Sequence, residues 1–247
     1  MAFHDTAVVV PTLNESENIS KLIETVFGLY PEIHILVVDD HSPDGTSAIV
    51  QGLQSKHPNL MLLERTRHPG LGCSYRDGFR QALAQPWCRA LVMMDADFSH
   101  DPAVIGHLLA KLADHDVVVG SRYTQGGSVK NWNWRRRILS RGANLYVCAV
   151  LWLPVFDATA GFIGVRREAL ETIPYGATIS NGYAFLVELK YLLGRFRLRF
   201  TEHPIAFDER REGQSKMSVG NVWESVLLPW RIRSAERRPL ERHLIVE

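Results

Sequence analysis

The chain is poor in several features, and each shortage excludes something. Its 247 residues hold three cysteines. Cys73, Cys88 and Cys148 are scattered and odd in number, so no disulfide framework or metal-ligand spacing is implied, and a reducing cytosol suits them. The formal net charge is only +1, far from the basic balance of nucleic-acid-binding domains, so no nucleic acid is expected as partner. "MAFHDTAVVVPT" lacks a basic region followed by a long apolar stretch, and no signal peptide is expected. No uninterrupted apolar run reaches the ~18 residues of a spanning helix, and no transmembrane domain is expected. The nearest run, "ANLYVCAVLWLPVF" at 143–156, is shorter and contains Pro154. It reads either as a buried core helix or as a helix facing lipid. A glycine-rich phosphate loop is missing too: "PTLNES" follows the first apolar run, where a dinucleotide enzyme would carry G-x-G-x-x-G. The glycines of "HPGLGCSYRDG" follow the third run with a different spacing and read as a tight turn into a helix.

What is present suffices for a full core, with 46% hydrophobic residues. The first half alternates short β-branched or apolar runs with helical stretches. The runs are "TAVVVPT", "HILVVDD", "LMLLER", "RALVMMDAD" and "DVVVGSR". Helices are expected at roughly 15–29, 46–56, 72–84 and 102–113. This alternation predicts an α/β fold with a mainly parallel, Rossmann-like sheet and helices on both faces. Ligands of such sheets bind beyond the carboxyl ends of the strands. In the second half, "QGGSVKNWNW" reads as a loop before a helix that runs to about residue 151. "ATAGFIGVRRE" is a strand leading into a helix, and "GYAFLVELKYLLG" is a helix closed by Gly194. "FRLRFTEHPIAFDERR" is an edge segment interrupted by Pro204, and "GQSKMS" is a loop. Residues 218–247 read as an amphipathic helix, with Pro229 inside it, and a tail after a domain spanning 1–217.

Polar strand ends are where chemistry is expected. "LVMMDADFSHDP" ends an apolar run with Asp95 and Asp97. In an extended segment residues i and i+2 share a side, so both carboxylates can meet one cation. Oxygen donors suit Mg²⁺ or Mn²⁺. The alternative, a capped helix start, is already served by Asp101 with Pro102. "VVDDHSPDGT" puts Asp39 at another strand end, as a ribose or base contact or as part of an ordinary Pro-Asp-Gly turn. After the first strand, Asn14 is a candidate helix cap with Glu17 completing a capping box; Glu15 is either a nucleotide contact or a surface residue. Arginines cluster at 135–137 with Arg141, and again at Arg231, Arg233, Arg237, Arg238 and Arg242. Such runs are solvated helix faces or contacts to anions and membrane surfaces.

In this order, "VVVPTLNESENI", "VVDDHSPDGT", "GLGCSYRDGF", "MDADFSHDP", "VVGSRY", "NWNWRRRILSRGAN", "DATAGF", "GYAF" and "FDERREGQSKM" resemble the family 2 inverting glycosyltransferases of the GT-A fold. Within them the resemblance is to the polyprenol-phosphate (dolichol-phosphate) mannose synthases. It runs from Val8 to Met217. It implies transfer of mannose from GDP-mannose to a polyprenyl monophosphate by an enzyme peripheral to the cytosolic face of a membrane. By position, Pro11, Asn14, Glu15, Asp39 and Asp95 contact the nucleotide sugar. Asp95 and Asp97 hold Mg²⁺ or Mn²⁺, with Ser99 where some relatives carry a glutamine ligand. Arg122, Arg136, Ser140 and Arg210 bind phosphates, as does Lys216. A structural ion pair is an equal alternative for Arg122, a solvated helix face for Arg136 and a surface pair for Arg210. An acceptor monophosphate, with a second pKa near ~6, is already largely dianionic at neutral pH and requires no catalytic base. Two positions depart from the family pattern: Ile163 stands where relatives commonly carry arginine, and Leu186 where they carry glutamine. The competing expectations are a related transferase with a UDP-sugar or another acceptor, and a nucleotide-sugar-binding module without turnover.

Overall fold

The computed structural model describes residues 1–130, 132–207 and 220–235, with the backbone alone for 220–226 and 235. Four β-α repeats and a fifth strand open the chain: β1 (Thr6–Thr12), α1 (Ile19–Leu29), β2 (His34–Asp39), α2 (Thr46–Gln54), β3 (Leu60–Glu64), α3 (Leu71–Leu83), β4 (Ala90–Met93), α4 (Ile105–Lys111) and β5 (Val117–Ser121). Then follow β6 (Ser128–Val129), α5 (Trp134–Leu151), β7 (Ile163–Arg166), α6 (Arg167–Thr172), α7 (Ala184–Arg195), β8 (Phe200–Pro204), β9 (Ala206–Phe207) and α8 (Gly220–Ala235).

Seven strands form one sheet in the order β3-β2-β1-β4-β7-β5-β8, and β6 pairs with β9 apart from it. Every pairing is parallel except those of β7, which runs antiparallel to β4 and β5. The carboxyl ends of β1, β2, β3, β4, β5 and β8 therefore share one edge with the amino end of β7. Both faces of the sheet are covered, as continuous apolar strands require. Along β1, Ala7 and Val9 face the layer of α3 and α7 with Tyr75, Phe79 and Phe185. Val8 and Val10 face the opposite layer, where Ile19, Leu22, Ile23 and Val26 of α1 and Leu108 of α4 pack. Burial of each such side chain contributes about 1.5–3 kcal/mol. α3 lies so close to the sheet that a Cβ on Gly78 would sit 2.7 Å from Val9 Cγ1.

Several expectations are corrected. α1 starts at Ile19, after Asn18, and no side chain caps it. Asn14 instead takes a left-handed conformation, φ 59°, and its amide donates to Ser42 Oγ. The capping box of Asn14 and Glu17 is absent because the β1–α1 loop is tied to the next loop rather than to its own helix. The stretch 125–134 is not all loop, since β6 forms within it. β4 ends at Met93, so Asp95 and Asp97 lie beyond the strand, and the extended-segment argument for their common side does not hold. Asp101 does cap the turn that opens with Pro102, accepting from the Ala103 amide.

α5 is unlike α1. Its first turns are open to solvent, and Trp134, Ile138, Leu139 and Leu145 are each at least 64% exposed. Farther along, Val147 and Leu151 pack with Val187, Tyr191 and Ile232. The apolar stretch 143–156 is thus half core and half surface. α8 lies on α5: Trp230 Nε1 donates to Tyr146 Oη, and Arg233 Nη1 to the Val150 carbonyl. Among the described residues no helix is long and apolar enough to cross a membrane.

Candidate active site

The edge shared by the strand ends collects most of the candidate residues. Thr12 and Asp39 are register partners at the ends of β1 and β2. The buried Asp39 carboxylate accepts from Thr12 Oγ1 (2.7 Å), Ser42 N (2.9 Å), Ser42 Oγ (2.6 Å) and Ser47 Oγ (2.8 Å). Beside it, Asp44 accepts from Thr46 N, Thr46 Oγ1 and Ser16 N. Desolvation works against that carboxylate, but the hydrogen bonds from Thr46 and Ser16 outweigh it and hold its pKa at about 2. The Glu15 amide donates to Thr46 Oγ1. Pro11, Asn14, Glu15 and Asp39 are therefore gathered by two interlocked loops, each stitched by hydroxyls of the other.

A second network fixes the neighbouring loop. The nearly buried Arg65 guanidinium meets Asp40 at 2.5 Å and Asp77 at 2.7 Å, and donates to the carbonyls of Arg67 and His68. Asp40 Oδ2 in turn accepts the Gly70 amide. Gly70 has φ +135°, and Gly72 would bring a Cβ within 2.6 Å of the Ser180 carbonyl. Only glycine permits this close approach of α3 to 178–181. A cavity of about 520 Å³ beside Arg65, Arg67, Asp77 and Arg80 belongs to this network and not to the acids after β4.

Asp95 and Asp97 stand just past β4, the strand next to β1. Phe98 follows with φ 60°, so a left-handed residue turns the backbone here. The Asp95 side chain is 29% exposed, and Asp97 is likewise partly open. His100 is buried beneath them. Its Nδ1 accepts the Asp95 amide at 3.0 Å, its ring stacks on Phe162, and its Nε2 lies 3.9 Å from Asp95 Oδ2. Burial lowers the His100 pKa against the pull of Asp95 and Asp97. The ring is neutral at neutral pH, and the accepted amide assigns its proton to Nε2, on the side of Asp95. Ser99 is nearly buried, and its amide donates to Asp97 Oδ1.

Two partly exposed carboxylates are an oxygen donor set that fits Mg²⁺ or Mn²⁺, with substrate and water oxygens completing the shell. His100 is no ligand as placed, because its Nδ1 is taken. Among the described residues no group of three or more His, Cys, Asp or Glu converges as a closed metal centre.

Arg122 follows β5. Its guanidinium is bidentate on Asp157, through Nε and Nη2 at 2.8 Å each, and Nη2 also donates to Thr159 Oγ1. The Arg122 amide reaches the same carboxylate. Burial works to raise the Asp157 pKa, but Arg122 outweighs it and holds the carboxyl below its usual range. Arg122 is raised in turn: burial opposes, and the bonds to Asp157 prevail. Of the two expectations for Arg122, the ion pair is the one seen. Arg136, exposed on α5, stacks over Trp132 at 4.2 Å. Ser140 Oγ is 2.6 Å from Tyr123 Oη, and the Tyr123 ring lies under Arg122. Arg210 and Lys216 lie outside the described residues. Ile163 and Leu186 are buried and apolar, and Leu186 Cδ1 would lie 3.5 Å from a Cβ on Gly161.

Sequence reasoning missed His100, Asp157, Lys190 and Tyr75. His100 and Asp157 sit inside "MDADFSHDP" and "DATAGF", so their positions were visible but their roles were not. Tyr75 Oη is fully buried with no hydrogen-bond partner among the described residues, a fact no spacing reveals.

The family described as Glycosyl transferase family 2 matches residues 7–174. The chain is 42% identical over 232 residues to the polyprenol monophosphomannose synthase of Mycolicibacterium smegmatis, covering 92% of this chain and 87% of that one. It is 39% identical to the undecaprenyl-phosphate mannosyltransferase of Micrococcus luteus, over 89% of this chain and 90% of that one. With the dolichol-phosphate mannosyltransferase of Pyrococcus furiosus it shares 32% identity, over 88% of this chain and 60% of that one. Among solved structures, the glucosyl-3-phosphoglycerate synthase of Mycobacterium tuberculosis superposes with a TM-score of 0.63 at 17% identity, over 94% of this chain and 78% of that one. That likeness speaks for the fold alone, GT-A with its mainly parallel sheet. The chain is a glycosyltransferase and belongs to glycosyl transferase family 2.

Proposed function

We propose that the chain transfers mannose from GDP-mannose to a polyprenyl monophosphate by a single inverting displacement, giving polyprenyl-phosphate β-mannose. One observation carries the reading: two partly exposed carboxylates, Asp95 and Asp97, stand at the strand-end edge beside the interlocked loops of Asn14 and Asp39. The names of the curated relatives support mannose and a polyprenyl phosphate as substrates.

In this scheme Asp95 and Asp97, with Ser99 as third candidate, hold Mg²⁺ or Mn²⁺. When bound there, such an ion would supply countercharge to the diphosphate. Pro11, Asn14, Glu15 and Asp39 hold the nucleotide. Neutral His100 fixes the Asp95 backbone and directs its Nε2 proton towards the carboxylate. Arg122, Arg136, Ser140, Arg210 and Lys216 receive the phosphates, where guanidinium geometry positions anions without protonating the attacking oxygen. That oxygen bonds to the anomeric carbon as the carbon–oxygen bond to the diphosphate breaks. GDP leaves, and an α-linked donor gives a β-linked product.

The open apolar residues of α5, with Leu227 and Trp230 of α8 exposed as well, support a peripheral seat on the cytosolic face of a membrane. Arg135, Arg136, Arg137 and Arg141 lie among them to meet anionic headgroups. Buried apolar Ile163 and Leu186 favour a second reading, a different sugar or acceptor at the same centre.

Incubation with radiolabelled GDP-mannose, Mg²⁺ or Mn²⁺ and a short polyprenyl phosphate, followed by organic extraction, tests the proposal. Label is expected in the organic phase and is expected to disappear on chelation. Label left wholly in water, or transfer untouched by chelator, overturns it; a panel of nucleotide sugars then separates the second reading.

A further inference from the structure

The segment between α5 and β7 is held by four side chains, and of these only Arg122 has a role in the scheme above. Asn144 of α5 accepts the Ala158 amide and donates to the Phe156 carbonyl. Glu202 of β8 accepts the Phe156 and Asp157 amides. Arg122, after β5, holds Asp157. From α7, Lys190 reaches in with no solvent exposure at all. Its Nζ donates to the carbonyls of Ala160 (2.6 Å), Ala158 (3.0 Å) and Leu186 (3.2 Å).

Three carbonyls lie within hydrogen-bond reach of this nitrogen, two from the turn and one from its own helix. An ammonium has three N–H donors and no lone pair, and matches them one to one. A neutral amine has two donors, so one of the three bonds is lost and a lone pair faces a carbonyl oxygen, which is costly in a dry interior. The turn held in this way touches the reaction centre at both ends. Asp157 orients Arg122. A Cβ on Gly161 would be 3.8 Å from Asp95 Oδ1 and 3.3 Å from His100 Cε1, so a small shift of the turn reaches the acid pair.

We propose that Lys190, as the ammonium, is a positioning residue for glycosyl transfer: it pins the 157–161 turn that aims Arg122 and walls the Asp95 side of the site. The inference rests on the transfer reading for its kinetic test and on the turn alone for its structural one. The charged groups facing Lys190 are Asp157, Arg122 and Glu202, with the Cys148 thiol beside them. Burial lowers its pKa to about 7, and Asp157 opposes that fall. The sign for stability is opposite to the sign for activity. Between about 7 and 10.5 the unfolded chain keeps a proton that the folded chain has lost, so this group's contribution to stability rises with pH. Over the same range Nζ loses one of its three hydrogen bonds and the charge that holds the Ala158 and Ala160 carbonyls, and transfer falls.

The test is kcat and donor KM with Mg²⁺ from about pH 6 to about pH 9, for the wild type and Lys190→Met, beside urea unfolding of both. The wild type is expected to lose kcat along a one-proton limb while its stability does not fall and donor KM holds. Lys190→Met is expected to have about a tenth or less of the wild-type kcat near neutrality, with that limb gone. A folded Lys190→Met within twofold of wild type, or a wild-type kcat flat across the range, overturns the proposal. Should the variant not fold, the wild-type profile decides. Should the wild type transfer nothing, the function reading has failed. Lys190 is then judged by hydrogen exchange at the Asp157 and Ala158 amides, corrected for the intrinsic pH effect. Protection lost above neutrality supports it; protection unchanged overturns it.

Discussion

The two sides of the strand-end edge are built by different means. On the side of β1 and β2, hydroxyls and backbone amides do the tying: Thr12, Ser42 and Ser47 on Asp39, and Thr46 and Ser16 on Asp44. These bonds are short and neutral-to-anion, buried or half-buried at Asp39 and open to solvent at Asp44. On the side of β5 and β7 the 155–161 turn is held by buried charge, with Arg122, Asp157 and Lys190 in one cluster and Glu202 beside it. A loop stitched by many small donors tolerates loss of any one. A turn held by buried ions does not, because removing one partner strands the other. The first side suits a site that must yield to a nucleotide, and the second a site that must keep an arginine aimed.

The sharpest contrast in activity comes from the acids between these two sides. Asp95→Ala or Asp97→Ala is expected to cut transfer about 10³-fold or more, in line with loss of transition-state charge stabilisation. Both side chains are partly exposed, so urea midpoints are expected to move little. Radiolabel transfer and urea titration on the same preparations check both halves; activity kept within tenfold would remove the centre from β4.

Stability is expected to break most on the ionic side. Asp157 is fully buried and is the bidentate partner of Arg122. Asp157→Ala strands a guanidinium and is expected to cost about 3–5 kcal/mol. Adding Arg122→Met should recover part of that loss, since the stranded charge is gone. A double-mutant cycle in urea measures the coupling; single losses that simply add in the double variant would make the pair unimportant to the fold.

The same contrast explains what the sequence disclosed. The first side is local: "VVDDHSPDGT" carries its own donors and acceptors, so a loop rich in turn residues and acids could be located by inspection. The β-α alternation was legible for the same reason, since four to seven apolar residues in a row announce a strand buried on both faces. Direction was not. The run Ile163–Arg166 reads as a strand, but nothing in four residues says that it enters the sheet antiparallel between β4 and β5. Lys190 was invisible because a lysine within "ELKYLL" matters only once the carbonyls of Ala158 and Ala160, some thirty residues away, close around it. Asn14 misled for the converse reason: its residue type fits a cap, and the Ser42 hydroxyl, 28 residues away, drew its amide elsewhere. Short-range chemistry is written in motifs, whereas a cluster drawn from four elements exists only in the fold.

A milder effect tests whether the buried layer under the acids is arranged for stability alone. Tyr75 Oη has no partner among the described residues, while its ring stacks on Phe185 at 5.9 Å. A buried hydroxyl without a hydrogen bond costs stability, so Tyr75→Phe is expected to stabilise the chain by about 1 kcal/mol. Thermal and urea unfolding check the sign. Destabilisation instead would mean that the hydroxyl is satisfied in solution.

The smallest effect lies on the hydroxyl side and has a distinctive pH dependence. Asp44 is largely open to water but accepts three hydrogen bonds at the start of α2. Asp44→Ala is expected to cost about 1 kcal/mol, as loss of a helix cap does. The folded pKa, about 2, lies below the ordinary 3.8. The stabilisation is therefore fully present above about 3.8 and is lost as pH falls through about 2. The difference in unfolding free energy between wild type and variant should be constant at neutral and mildly acidic pH and close in strong acid. If the Asp44 difference survived unchanged at the acid end, the bonds from Thr46 and Ser16 would not be what lowers its pKa, and the hydroxyl side would owe its order to packing rather than to its small donors.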